Sequence, residues 1–239
     1  DKIRYFHKLG VDALFLIDFN ETLSGYSPEK FIKFITDYIN IKFIYVGFNF
    51  HFGFKGEGNV QKLSEFGDRF NFNVNINPPV KFREMVISST LVRTSIREGK
   101  VELASKMLGH LYFVSGDVIK GHGRGNKLGF STANIKPDNE VIPKDGVYAT
   151  IVQIDKSTFY GVTNIGNCPT FKNESRSIEV NIFDYNQEIY GKWIKIYFVQ
   201  WLRPEQKFKT IQDLKTQVKK DSSLAKEIFK KKHKPLEIK

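Results

Sequence analysis

Apolar positions in the first half of the chain follow two patterns. Short unbroken runs predict buried strands: Ala13-Leu14-Phe15-Leu16-Ile17 after Gly10, Phe43-Ile44-Tyr45-Val46 ending at Gly47, and Asn73-Val74-Asn75-Ile76. Between the first two, Phe31, Ile32, Phe34, Ile35, Tyr38 and Ile39 recur at helical spacing. Ser27-Pro28-Glu29 opens that helix, with Pro28 suited to the first helical position because its missing N–H has no partner there anyway. Strand, helix and strand in turn predict a parallel α/β sheet covered on both faces. Thr90 to Arg97 and Val101 to Leu108 then read as helices, interrupted by Gly99 and closed by Gly109.

After about Leu111 the pattern changes. Gly-rich turns separate β-branched and aromatic runs over 112–118, 147–154, 159–164, 178–183 and 193–201, several alternating with period two. Such punctuation predicts an antiparallel barrel or sandwich. From Thr210 to Lys232 the spacing is helical again, with Ile211, Leu214, Val218, Leu224, Ile228 and Phe229 as the apolar face. The chain therefore reads as α/β plus all-β with a C-terminal helix, and as two domains, 1–110 and 111–239, joined near 109–113.

Composition narrows the class. With 41% hydrophobic and 26% charged residues over 239 positions, the chain is neither a disordered tail nor a membrane protein. Cys168 stands alone, which excludes an internal disulfide framework and a Cys-rich zinc site and points to a reducing cytoplasm. The net charge is +11, of which +7 lies between Lys207 and Lys239. That excess describes one basic segment; it reads as a solvated helix face, with nucleic acid or anionic lipid as the rival. The chain opens on Asp1 with no signal-peptide pattern, so a fuller N-terminus is expected in the intact protein.

Two stretches carry candidate chemistry. Gly121-His122-Gly123-Arg124-Gly125-Asn126-Lys127-Leu128-Gly129 lets backbone approach a ligand closely, and its N–H groups with Arg124 and Lys127 suit a polyphosphate. It is not a P-loop, because no Gly-Lys-Ser/Thr stands at the required spacing. Thr132 and Asn134 follow, two apart and so on one side of an extended segment; both offer oxygen, which suits Mg²⁺. The ordinary alternative is a mobile hairpin. The second stretch is Ser177-Ile178-Glu179-Val180-Asn181, where alternation puts Ser177, Glu179 and Asn181 on one face. On a pocket wall Glu179 would accept a proton from a substrate hydroxyl; on a one-sided sheet it would simply face solvent.

These residues resemble riboflavin kinases. Gly121 to Asn134 is similar to their Gly-rich flap and Pro-Thr-Ala-Asn motif. Pro143-Lys144-Asp145-Gly146-Val147-Tyr148-Ala149, Asn164-Ile165-Gly166-Asn167-Cys168-Pro169-Thr170-Phe171, and Tyr190-Gly191 through Leu202-Arg203-Pro204-Glu205-Gln206-Lys207-Phe208 match further family stretches in the same order. Val46-Gly47-Phe48-Asn49-Phe50-His51-Phe52-Gly53 with Gly58, and Ile87-Ser88-Ser89-Thr90-Leu91-Val92-Arg93, resemble the flavin-side loop and nucleotide motif of bacterial FMN adenylyltransferases. Taken by themselves, Ser88 to Thr90 read as a helix cap, while N–H groups at a helix start with Arg93 also make an anion site.

The resemblance implies a bacterial bifunctional riboflavin kinase/FMN adenylyltransferase. Its expected fold is a partial Rossmann-like nucleotidyltransferase domain followed by a small Greek-key β-barrel of riboflavin kinase type. It implies ATP, riboflavin and FMN as substrates and Mg²⁺ as cofactor. Glu179 would be the catalytic base; Thr132 and Asn134 would hold metal and phosphates; Gly121, Gly123, Arg124, Gly125 and Lys127 would cover the nucleotide. Arg203 would position the flavin or the flap, and Asn49, Phe50, Ser88, Ser89, Thr90 and Arg93 would line the adenylyltransferase site. Departures from the pattern are Ser131 for Pro, Asn49 for Asp, His51 for Arg, and no His-x-x-His-like nucleotide loop, which puts adenylylation by this chain in doubt. The rival functions are a non-catalytic flavin- or nucleotide-binding regulator on the same fold and a basic nucleic-acid-binding protein. Neither a specific nucleic acid nor a membrane is expected as partner.

Overall fold

The computed structural model describes residues 2–120, 132–166 and 176–231. Its contacts divide the chain into two compact units, Asp1–Val80 and Lys81–Lys239.

In the first unit, strands β1 (Phe43–Gly47) and β2 (Asn73–Asn77) pair in parallel, Val46 opposite Ile76. Helices α1 (Lys2–Lys8), α2 (Glu21–Ser24), α3 (Pro28–Thr36) and α4 (Val60–Phe70) complete it. Ser27 caps α3 by accepting from the Lys30 N–H, as the sequence predicts. Asn59 does the same for α4, which ends on a left-handed Asn71. Ile32, Val46, Phe52, Leu63 and Phe72 form the core between the helices and one face of the sheet.

Two expectations fail here. Ala13–Ile17 forms no strand, and its side chains are exposed, Leu16 by 76%. An apolar run becomes a strand only where a sheet edge receives it, and neither β1 nor β2 pairs with this one. The sheet is also not covered on both faces: Ile44, Val46 and Val74 pack inward, while Phe43 and Tyr45 on the alternate positions are 59% and 67% exposed.

The second unit begins with a small hairpin, β3 (Lys81–Phe82) and β4 (Met85–Val86), then α5 (Ser89–Arg97) and α6 (Val101–Leu108). Six strands follow: β5 (Phe113–Ile119), β6 (Ala133–Pro137), β7 (Gly146–Ile154), β8 (Ser157–Gly166), β9 (Ser177–Ile182) and β10 (Trp193–Arg203). They close an antiparallel barrel in the order β10-β5-β6-β9-β8-β7. Of the two architectures the punctuation allowed, closure selects the barrel, which leaves no open edge. Val114, Val152, Val180, Ile194, Ile196 and Phe198 are among the side chains that fill its interior.

The long helix α7 (Ile211–Lys231) lies on the outside. Ala225 and Phe229 pack there against Leu111, Ala149, Ile151, Tyr197 and Val199. Strand alternation thus serves two cores: one parity fills the barrel, and the other receives the helix.

Candidate functional site

One row of cross-strand partners crosses the outer face of the barrel. Arg203 lies opposite Val147, Val147 opposite Asn164, Asn164 opposite Glu179, and Glu179 opposite Asn134. Directly opposed residues share a face, with Cβ atoms about 5 Å apart, so Glu179 stands between two Asn side chains. Strand β9 explains the orientation: Ile178, Val180 and Ile182 are buried in the barrel, which turns Ser177, Glu179 and Asn181 outward into half-buried positions. The Ser177 hydroxyl donates to Glu179 Oε1 at 3.4 Å. Thr132 sits at the entry to β6, two residues before Asn134.

The expected glycine flap, with Gly121, Gly123, Arg124, Gly125 and Lys127, lies outside the described residues, as does the Asn167–Phe171 stretch.

A cavity of about 350 Å³ opens beside Thr132, lined among others by Val118, Val180, Tyr185, Ile189 and Tyr190. Val180 belongs to the barrel core, so this space lies on the inner side of β9 while Glu179 lies on the outer side. Thr132 lines this cavity, and Asn134, two residues on, stands opposite Glu179. The sequence reading did not single out 185–189, because a loop between strands carries no periodic signal, and it named Tyr190 only at the start of a family-like stretch.

Glu205 was named within a family-like stretch but was not singled out as a site residue. Asn164 Nδ2 donates to Glu205 Oε1 at 3.2 Å. Gly166, at φ 153, makes room for it: a Cβ there would stand 2.0 Å from the Glu205 carboxylate. The available signal was the Pro204-Glu205 turn, which chemistry in the sequence alone did not distinguish from any exposed acid.

Arg203 joins the row, but its guanidinium is engaged elsewhere. Nη2 meets Asp221 Oδ2 at 2.7 Å, Nε meets Oδ1 at 3.0 Å, and Nη1 donates to the Pro204 carbonyl at 2.9 Å. Asp221, on α7, is 5% exposed and accepts a further bond from Gln217 Nε2 at 2.9 Å. These contacts tie the end of β10 to the helix, and no flavin-facing role is represented among them.

The adenylyltransferase candidates fall in both units. In the first, Asn49 occupies the turn after β1, and Phe50 stacks on Phe52 with ring centroids 5.6 Å apart. In the second, Ser88 is the N-cap of α5 and accepts from the Leu91 N–H at 3.1 Å, as its ordinary reading predicts. Ser89, Thr90 and Arg93 are exposed along the first turns of that helix.

Among the described residues no group of three or more His, Cys, Asp or Glu could hold a metal ion. A metal at Thr132 and Asn134 would thus be held by two neutral oxygens, a set that fits an ion taking its other ligands from phosphate and water. The perturbed tyrosines are structural. Burial pushes Tyr112 up to about 12, and its hydroxyl donates to the Val141 carbonyl. Burial and then the Asp145 charge raise Tyr148, which donates to the Lys144 carbonyl.

A family model for riboflavin kinase matches residues 108–229, and one for FAD synthetase matches residues 1–91. The bifunctional riboflavin kinase/FMN adenylyltransferase of Bacillus subtilis is 38% identical over 229 residues, covering 94% of this chain and 72% of that one. Its counterpart in Escherichia coli K12 is 31% identical, covering 96% and 74%. A crystal structure from Streptococcus pneumoniae, described as a macrolide-efflux protein, superposes with a TM-score of 0.85 at 32% identity over 94% of this chain and 73% of that one. Among the described residues no helix is long and apolar enough to cross a membrane.

Proposed function

The chain belongs to the bifunctional riboflavin kinase/FMN adenylyltransferase family, and from that premise we propose that its barrel phosphorylates riboflavin at the Asn134–Glu179 row. Family members act on ATP and flavins in two steps, riboflavin to FMN and FMN to FAD, and models of both modules match this chain.

In the first step the ribityl 5′-hydroxyl gives its proton to the Glu179 carboxylate. Its oxygen forms a bond to the γ-phosphorus of ATP, and the bond from that phosphorus to the ADP oxygen breaks. Phosphoryl transfer demands alignment and charge neutralisation more than covalent work by the protein, so the placement of these groups is the catalytic contribution. Thr132 and Asn134 would hold Mg²⁺, which when bound neutralises charge on the phosphate oxygens. The cavity beside Thr132, where two tyrosines and apolar side chains meet Asn186, Gln187 and Glu188, would take the purine. Gly121, Gly123, Arg124, Gly125 and Lys127 would bind the nucleotide phosphates.

The observation that carries this reading is the register of β6 on β9, which sets Asn134 directly beside Glu179. It is tested by chromatography of the products formed from riboflavin and excess Mg·ATP. FMN appears with the wild-type chain, and Glu179→Gln lowers turnover ~10²-fold or more while retaining both ligands, the scale of a lost general base. A variant with near wild-type turnover removes Glu179 from the mechanism. FAD in the same chromatogram reports the second activity. Little is expected, because Asn49 and His51 replace the Asp and Arg of the family pattern. The kinase module is placed at 111–239 and the adenylyltransferase module at 1–110; the riboflavin kinase match from residue 108 supports that division. A cytoplasmic location is part of the same proposal, supported by the single cysteine.

A further inference from the structure

We infer that Asn164 and Glu205 form a positioning pair for the Glu179 base, an inference that rests on the kinase reading above. A carboxylate at the end of a Glu side chain has several rotamers open to it, and proton transfer needs one of them. Asn134 bounds Glu179 on the β6 side, and Asn164 bounds it on the β8 side. Asn134 belongs to the proposed metal and phosphate site. Asn164 stands one strand further from it, and its amide is anchored from the opposite direction.

The anchor is Glu205, 41 residues along the chain, whose Oε1 receives Asn164 Nδ2 at 3.2 Å. A carboxylate only accepts, so this contact fixes which end of the amide carries nitrogen and leaves Asn164 one orientation beside Glu179. The backbone is shaped to admit it. Gly166 lies two residues beyond Asn164 on the same face of β8, and any Cβ there would overlap the Glu205 carboxylate. Ser177, opposite Gly166, donates to Glu179 from the same side. Among the described residues, Asn164, Gly166, Ser177 and Glu205 thus stand on that side of the row.

The test is steady-state kinetics of riboflavin phosphorylation by the full chain for Asn164→Ala, Glu205→Ala, Glu205→Gln and the double variant Asn164→Ala/Glu205→Ala. Circular dichroism and melting are recorded alongside. Displacing a reacting group by about an ångström costs on the order of 10²-fold, so each Ala variant should lose at least ~10-fold in kcat with KM for ATP and riboflavin changed far less. Glu205→Gln keeps an oxygen acceptor and should recover most of kcat. The double variant should be no worse than the poorer single one, because both remove one contact. Multiplying losses, a Glu205→Gln as poor as Glu205→Ala, or a rise in KM for riboflavin at unchanged kcat would each overturn the pairing. A wild-type chain that makes no FMN would instead overturn the kinase reading itself, and a fully active Glu179→Gln would remove the base on which the pair acts.

Discussion

Glu179 could be singled out from the sequence because a charged residue inside an alternating apolar strand must leave the core. The neighbours Ile178 and Val180 then dictate its side. Glu205 could not be found that way, because its contact with Asn164 exists only once the segment after β10 reaches β8. Thr132 is the residue whose role separates most cleanly. If its hydroxyl holds the metal, Thr132→Ala should weaken Mg·ATP binding far more than riboflavin binding in calorimetry. Equal losses for both would indicate a folding defect. Tyr112 supplies a test unrelated to catalysis. Burial favours its neutral form and raises it from 10.0 to about 12. A raised group contributes fully below its unfolded value and loses that contribution as pH rises through the folded one. Roughly 2–3 kcal/mol of stability should therefore disappear between about pH 10 and 12. Denaturant midpoints of wild type and Tyr112→Phe should converge over that range, and parallel curves would assign the alkaline loss elsewhere.

At the scale of elements, most strands with an apolar run or a clear alternation were legible, β1 and β2 among them. β8, β9 and β10 fall within a few residues of their predicted bounds. β6 was missed because Ala133–Pro137 is short and mixes polar residues with a terminal proline. Ala13–Ile17 erred in the opposite direction: strong β character without a partner strand produces only an exposed extended segment. Helix α7 was legible as a helix, but its attachment was not. Arg203 and Asp221, 18% and 6% exposed at their side chains, hold it to the barrel at the end of the row that contains Asn134 and Glu179. Removing one partner of a buried ion pair strands the other, at a cost of about 3–5 kcal/mol. Arg203→Ala should therefore lower the melting temperature sharply. Arg203→Ala/Asp221→Ala should lower it less than the sum of the single losses. Additive losses would show that the two residues act independently. If Arg203 also meets the flavin, the single variant will raise KM for riboflavin under conditions where it remains folded.

Whole-molecule behaviour follows from the unequal cores of the two units. The first rests on Ile32, Val46, Phe52, Leu63 and Phe72 and leaves Phe15, Leu16, Phe19 and Tyr45 in solvent. The second closes its six-stranded sheet on itself, which removes the edges of that sheet, and buries a second apolar layer under α7. A unit that buries less apolar surface per residue has a smaller margin over its conformational entropy. The first unit should therefore open at a lower temperature, and unfolding of the chain should not be two-state. The two tryptophans make this measurable, because Trp193 and Trp201 both lie on β10 of the second unit. Tryptophan fluorescence will report the barrel alone, whereas far-ultraviolet dichroism will include α3 and α4. Heating should show an early dichroism loss at constant fluorescence, followed by a joint transition. Riboflavin with Mg·ATP should raise only the later one, because ligand bound to the barrel stabilises the unit that holds it. Coincident midpoints for both probes would mean that the two units fold as one.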